Sequence, residues 1–267
     1  MRFLLILALL LPAAATAADL STTTDAELTV LAADPDWTVR LDAALEQALR
    51  ADADLTARRM AIAPRATRAG FLRFPTQMMN VPDAAPVLLH RFRTESAPEV
   101  RGALADCLSR LSVPWADAVV ELMADEPDAT VRSILVHSVR FIPPPQARAL
   151  VVHGMADADA LVRAETASLI ARRSDGLDFA DALVPALADP AERVRISAAR
   201  TLGTVQADVS EALVPLLSDG SSAVRLHALR ALDRIDGSRA AEQARTLDLV
   251  SDLDARVSRL ADRILGR

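Results

Sequence analysis

A valine followed by arginine returns down this chain at nearly fixed spacing, and that return limits the possible folds more than any other feature. The pair stands at Val39-Arg40, Val100-Arg101, Val131-Arg132, Val162-Arg163, Val194-Arg195 and Val224-Arg225, with Val257, followed by Ser258, as the last copy. From Val100 onward the steps are 31, 31, 32, 30 and 33 residues. The first gap, 61 residues, has the length of two units and implies an eroded copy between them. A period of about 20 to 50 residues marks an array of stacked supersecondary units, none of which buries its apolar face alone.

Aligned on the valine, the copies share a pattern with physical meaning. Five residues before it stands an acid: Asp34, Glu95, Glu126, Asp157, Asp189, Asp219 or Asp252. Three before it stand Asp36, Asp128, Asp159, Ser221 and Asp254, whose side-chain oxygens suit a helix N-cap, with Ala97 and Ala191 as exceptions. Eight after it come Leu108, Val139, Ile170, Leu202, Leu232 and Leu265, on one helical face with the valine. Repeat one has Gln47 there and is weaker. Upstream of the acid lies another apolar stretch, and residues 181–189 and 211–219 are nearly the same sentence. Pro185 and Pro215 are expected to kink or shorten the first helix of their units. With no strand alternation, the expectation is an all-α chain: a right-handed α-solenoid of about eight helix hairpins with a period of about 31 residues.

Turn acid, Asp or Ser cap, Val-Arg, then Ala and Leu is a pattern that resembles HEAT repeats, especially the short HEAT-like repeats of the phycobilisome-lyase class. The resemblance covers residues 26–267 and is closest over Leu177–Val205 and Val209–Ile235. It implies a ladder of turn acids and arginines between neighbouring units, with Arg132, Arg163, Arg195 and Arg225 pairing with acids such as Glu126, Asp157, Asp189 and Asp219. As exposed pairs these contribute about 0 to 1 kcal/mol each, and their use is to fix the angle between units. Ser258 in place of the last arginine fits a terminal unit with no further neighbour. Lyase chemistry belongs to particular members of that class and not to the repeat.

The N-terminus reads as a secretory signal peptide over residues 1–17: one arginine, an apolar run ending near Leu11, Pro12, then Ala15-Thr16-Ala17. The run is shorter than the roughly 20 residues of a membrane span. Cleavage after Ala17 without a cysteine gives no lipid anchor, and residues 18–267 are read as a single exported HEAT-like domain, periplasmic or secreted. Net charge is −6, which argues against nonspecific nucleic-acid binding. Aromatics make up only 3%, so the core must come from Leu, Val, Ile and Ala. Cys107 is the single cysteine, so no intrachain disulfide forms, and it reads as a small apolar residue on a helix.

No enzyme motif, cofactor site or metal site emerges. His90, His137, His153 and His227 are scattered over different units, without metal-ligand spacing. No Gly-rich phosphate loop and no G-x-S-x-G elbow occur. Two surfaces are candidates for a protein partner. The first is residues 55–82, with Arg58, Arg59, Arg65, Arg68 and Arg73, no acid, and Phe71, Phe74, Met78 and Met79. It reads either as an interface patch or as a degenerate repeat, at 55–85, whose large side chains fill a seam. The second is a row six residues after each valine, Leu45, Asp106, His137, Ser168, Arg200, Arg230 and Arg263, ending in three arginines. On the concave face of a solenoid that basic row suits an anionic partner. Two functions follow: a non-catalytic envelope scaffold docking a partner on that face, or an accessory subunit of an envelope enzyme docking through residues 55–82.

Overall fold

The computed structural model describes residues 20, 22–36, 39–40, 43, 46–47, 89–90, 92–109 and 116–266. The leader at 1–17, the segment at 55–85 and its candidate residues Arg58, Arg59, Arg65, Arg68, Phe71, Arg73 and Phe74 lie outside the described residues. Every regular element among the described residues is helical. The chain divides into two compact units, residues 1–119 with 141–143 and residues 120–140 with 144–267.

In the first unit, α1 (Asp25–Leu31) begins at Thr24, whose hydroxyl and Glu27 form a reciprocal capping box. Leu20, Leu28 and Ala43 form a small buried cluster there. Helix α2 (Pro98–Ser109) carries Cys107. Helix α3 (Ala116–Asp125) is followed in the second unit by α4 (Ala129–Leu135), which tightens into a 3-10 turn over Val136–Arg140. Hairpins then follow one another: α5 (Pro144–Met155) with α6 (Ala160–Ile170), α7 (Ala180–Leu183) with α8 (Glu192–Val205), α9 (Ser210–Leu213) with α10 (Ser222–Ile235), and α11 (Gly237–Thr246) with α12 (Ala255–Leu265). The second helices stack in order, α4 on α6, α6 on α8, α8 on α10 and α10 on α12. This is solenoid packing, in which each unit buries its face on the next.

The prolines act as expected. Helices α7 and α9 last four residues each and give way to 3-10 turns at Pro185–Ala188 and Val214–Ser218. Proline cannot donate a backbone hydrogen bond and its ring clashes with the turn before it. The repeat valines Val131, Val162, Val194, Val224 and Val257 are buried, as are Leu108, Val139, Ile170, Leu202 and Leu232. The last unit differs: Ile264 takes the buried place and Leu265 is only half-buried. Units approach closely where residues are small. A Cβ on Gly203 of α8 would lie 2.6 Å from the Ala231 Cα of α10, so glycine there sets the distance between two second helices.

The acids do more than cap. Each of Asp34, Glu95, Glu126, Asp157, Asp189, Asp219 and Asp252 accepts the backbone N–H of the residue two positions on, at 2.8 to 3.0 Å. Such side-chain-to-backbone bonds fold the turn. Asp128, Asp159, Ser221 and Asp254 cap the helices that follow, whereas Ala191 leaves α8 without a side-chain cap.

The ladder between neighbouring units is present, and each arginine pairs with the acid of the next turn. Arg132 donates to Asp157 (2.7 and 3.0 Å), Arg163 to Asp189 (2.7 and 2.9 Å), Arg195 to Asp219 (2.8 and 3.0 Å) and Arg225 to Asp252 (2.7 and 2.8 Å). The acid of the arginine's own turn is met only through backbone: Nη1 of Arg132, Arg163, Arg195 and Arg225 donates to the carbonyls of Glu126, Asp157, Asp189 and Asp219. One guanidinium thus ties its own turn to the next. Arg40 does the same, donating to Asp34 and Pro35 carbonyls and to the Glu95 carboxylate 55 residues away, so this rung runs directly from the turn at 34 to the turn at 95.

Nor are these exposed pairs. Their side chains are between 3% and 18% accessible, which takes them out of the class of surface bridges worth almost nothing. Bidentate, charge-assisted bonds in such a place contribute about 1.5 to 3 kcal/mol against loss of one partner. The carboxylates respond accordingly. The Arg163 and Arg225 guanidiniums hold Asp189 and Asp252 below the ordinary aspartate value of 3.8. At Asp157 and Asp219 burial pushes the other way, yet the arginine and turn-amide bonds together still lower the value.

Two outcomes follow. Asp219→Ala is expected to lose about 1 to 3 kcal/mol in urea unfolding, because it strips a partner from Arg195 and from the Ser221 amide at once. These acids are lowered in the folded state, so their stabilisation is complete above 3.8 and disappears as pH falls through their folded values. Wild type should therefore lose stability below pH about 4 more steeply than Asp219→Ala, measured by thermal melts across pH.

Candidate docking site

Helices α8 and α10, of 14 residues each, build the site. Helix α8 closes on Gln206, whose left-handed backbone (φ 55°) turns the chain so that the Ala207 N–H reaches the Leu202 carbonyl. Helix α10 starts at Ser221, whose hydroxyl accepts the Val224 N–H at 3.4 Å. Both bury one face of Val, Leu and Ala and leave arginines on the other.

Between them lies an open depression lined by Arg200, Gly203, His227, Arg230, Ala231 and Arg234. The close approach at Gly203 and Ala231 makes its floor small and apolar. Its walls are cationic. Arg200, Arg230 and Arg234 are exposed and form no ion pair with any described residue, in contrast to the ladder arginines a few residues away. His227 is half-buried, and burial first, then the charges of Arg230, Arg200 and Arg256, lower its pKa from 6.5. At neutral pH the imidazole is uncharged within a ring of fixed positive charge.

Of the three arginines read as a basic row, Arg200 and Arg230 line one depression, while Arg263 is exposed on α12 and is not among its lining. His227 and Arg234 were not singled out by the row, which follows one position per unit. The signal was present along the helix instead: residues 227, 230 and 234 are spaced i, i+3, i+7 on one face of α10. His137 is half-buried after α4, and His153 is exposed on α5. Among the described residues, no group of three or more His, Cys, Asp or Glu is placed to hold a metal ion. No described helix is long and apolar enough to cross a membrane.

Residues 180–261 match the family of HEAT repeats. This span holds α7 to α11 and the first part of α12, and with them the whole depression. The fold of the Escherichia coli protein YibA is similar, at TM-score 0.55 and 18% identity, covering 92% of this chain and 83% of that one. An engineered protein aligns at TM-score 0.49 and 19% identity over 83% of this chain and 100% of its own. A designed armadillo repeat protein in complex with the peptide (KR)4 aligns at TM-score 0.43 and 19% identity over 73% of this chain and 98% of its own. The sequence has no significant match among curated proteins. The fold is thus an α-solenoid, and residues 180–261 within it match HEAT repeats.

The electrostatics give a direct check. The His227 ring should titrate below 6.5 by NMR, and Arg230→Gln should move its midpoint upward, because one of the lowering charges is gone while burial remains.

Proposed function

We propose that this protein is a non-catalytic scaffold of the cell envelope that docks an acidic segment of a partner protein on the face formed by its second helices. The observation that carries this reading is the division of its arginines. Those in the turns are neutralised by the ladder, whereas Arg200, Arg230 and Arg234, gathered around one depression, form no ion pair with any described residue. Unpaired cations gathered over an apolar floor repel one another and gain from an anion that bridges them. Arg263, next along the stack on α12, extends the basic face beyond the depression. A repeat array suits such binding because it offers one extended surface without requiring a closed pocket.

Residues 1–17 supply the route to the envelope in this reading, and N-terminal sequencing of the exported protein beginning at Ala18 checks it. The docking face is tested with residues 18–267 and the Arg200→Glu/Arg230→Glu variant, both verified as folded by circular dichroism. Affinity for an oligo-aspartate peptide should fall by about tenfold or more in the variant, and wild-type affinity should weaken with added salt. Equal affinity in the folded variant would remove this face from the function.

A further inference from the structure

The depression between α8 and α10 contains one group whose charge is adjustable. Arginine is positive at any physiological pH, so Arg200, Arg230 and Arg234 offer a constant field. His227 does not, and it sits among them with its ring half-buried. The charges that face it come from three helices: Arg200 on α8, Arg230 on its own α10 and Arg256 on α12. Arg256 is itself held by Asp254 at 2.7 Å, so its charge is partly countered. On α9 and α11, Glu211, Arg239 and Glu242 are engaged with one another. Among the described residues no carboxylate lines the depression, so none there neutralises an imidazolium.

We propose that this depression is a proton-coupled carboxylate site: an aspartate or glutamate side chain of the docked segment seats over the Gly203–Ala231 floor between the three arginines, and His227 takes up a proton as it does so. The inference rests on the docking reading above and adds what the site takes and how the surroundings regulate it. The apolar floor has no donor or acceptor side chain, so it accommodates the carbon end of an acidic residue, while the rim meets its oxygens. Arrival of one negative charge cancels part of the field that kept the imidazole neutral. The proton taken from solvent then adds a fourth cation to the rim. Binding and protonation favour each other by the same factor, as linkage requires. Affinity accordingly rises as pH falls through the histidine range, and the acidic peptide remains ionised there because its own carboxylates titrate near 4. Peptide titration alone would weaken binding at lower pH, the opposite direction.

The test is calorimetric titration of an oligo-aspartate peptide into residues 18–267 at pH about 7.5 and about 5.5, in two buffers of different ionisation enthalpy. Wild type, His227→Gln and Arg230→Gln are compared. A shift of one pKa unit on binding corresponds to about tenfold, and that is the expected gain in wild-type affinity at the lower pH, with proton uptake visible as a buffer-dependent heat. His227→Gln should keep the affinity seen at pH about 7.5 and lose the gain, while Arg230→Gln should bind more weakly at both. Wild-type binding without a pH gain, or a gain that survives in His227→Gln, overturns the proton-coupled site and leaves the docking reading standing. No peptide binding at either pH overturns the docking reading and this inference with it.

Discussion

Everything in the second unit depends on a single repeated interaction: one guanidinium holds two turns at once. Nη1 of Arg195 donates to the Asp189 carbonyl of its own turn, and its other nitrogens grip the Asp219 carboxylate of the next. The acid in turn folds its own loop by accepting the Ser221 amide, so one side chain both shapes a turn and receives its neighbour. The burial of Val194 and Leu202 supplies the adhesion between helices, but adhesion is non-directional. The rungs add direction. They fix each unit against the next at the turn end, while Gly203 and Ala231 fix the distance between helices α8 and α10.

Much of this is legible in the repeat itself. The period, the buried valines, the acid of each turn and the shortened first helices at Pro185 and Pro215 follow from local chemistry that repeats. What the sequence leaves open is which acid of the ladder each arginine meets. An arginine and an acid six residues apart look like natural partners, yet that short loop brings Arg132 only to the Glu126 carbonyl, and its carboxylate partner is 25 residues away. Burial of the pair was missed for the same reason, since accessibility depends on how units stack. In the last repeat Ile264 is buried and Leu265 half-buried, a one-residue shift of the apolar face that the repeat pattern does not announce. The depression was half visible: a row of one residue per unit found Arg200 and Arg230, and only the pairing of two helices joins them to His227 and Arg234.

The same chemistry therefore serves two ends. Arginine in a turn is spent on geometry and is silent toward solvent. Arginine six residues beyond the valine, as at Arg200 and Arg230, is exposed and forms no ion pair with a described residue. In an acidic protein such uncompensated cations concentrate the field where a partner docks, and an embedded histidine makes that field responsive to pH.

The separation of these two roles is measured most directly by comparing Arg195→Gln with Arg230→Gln, taking Tm and oligo-aspartate affinity on each. Loss of a rung should lower Tm and leave affinity near wild type, whereas loss of the unpaired arginine should weaken binding with Tm almost unchanged. If both variants change both quantities together, the division between structural and binding arginines is wrong.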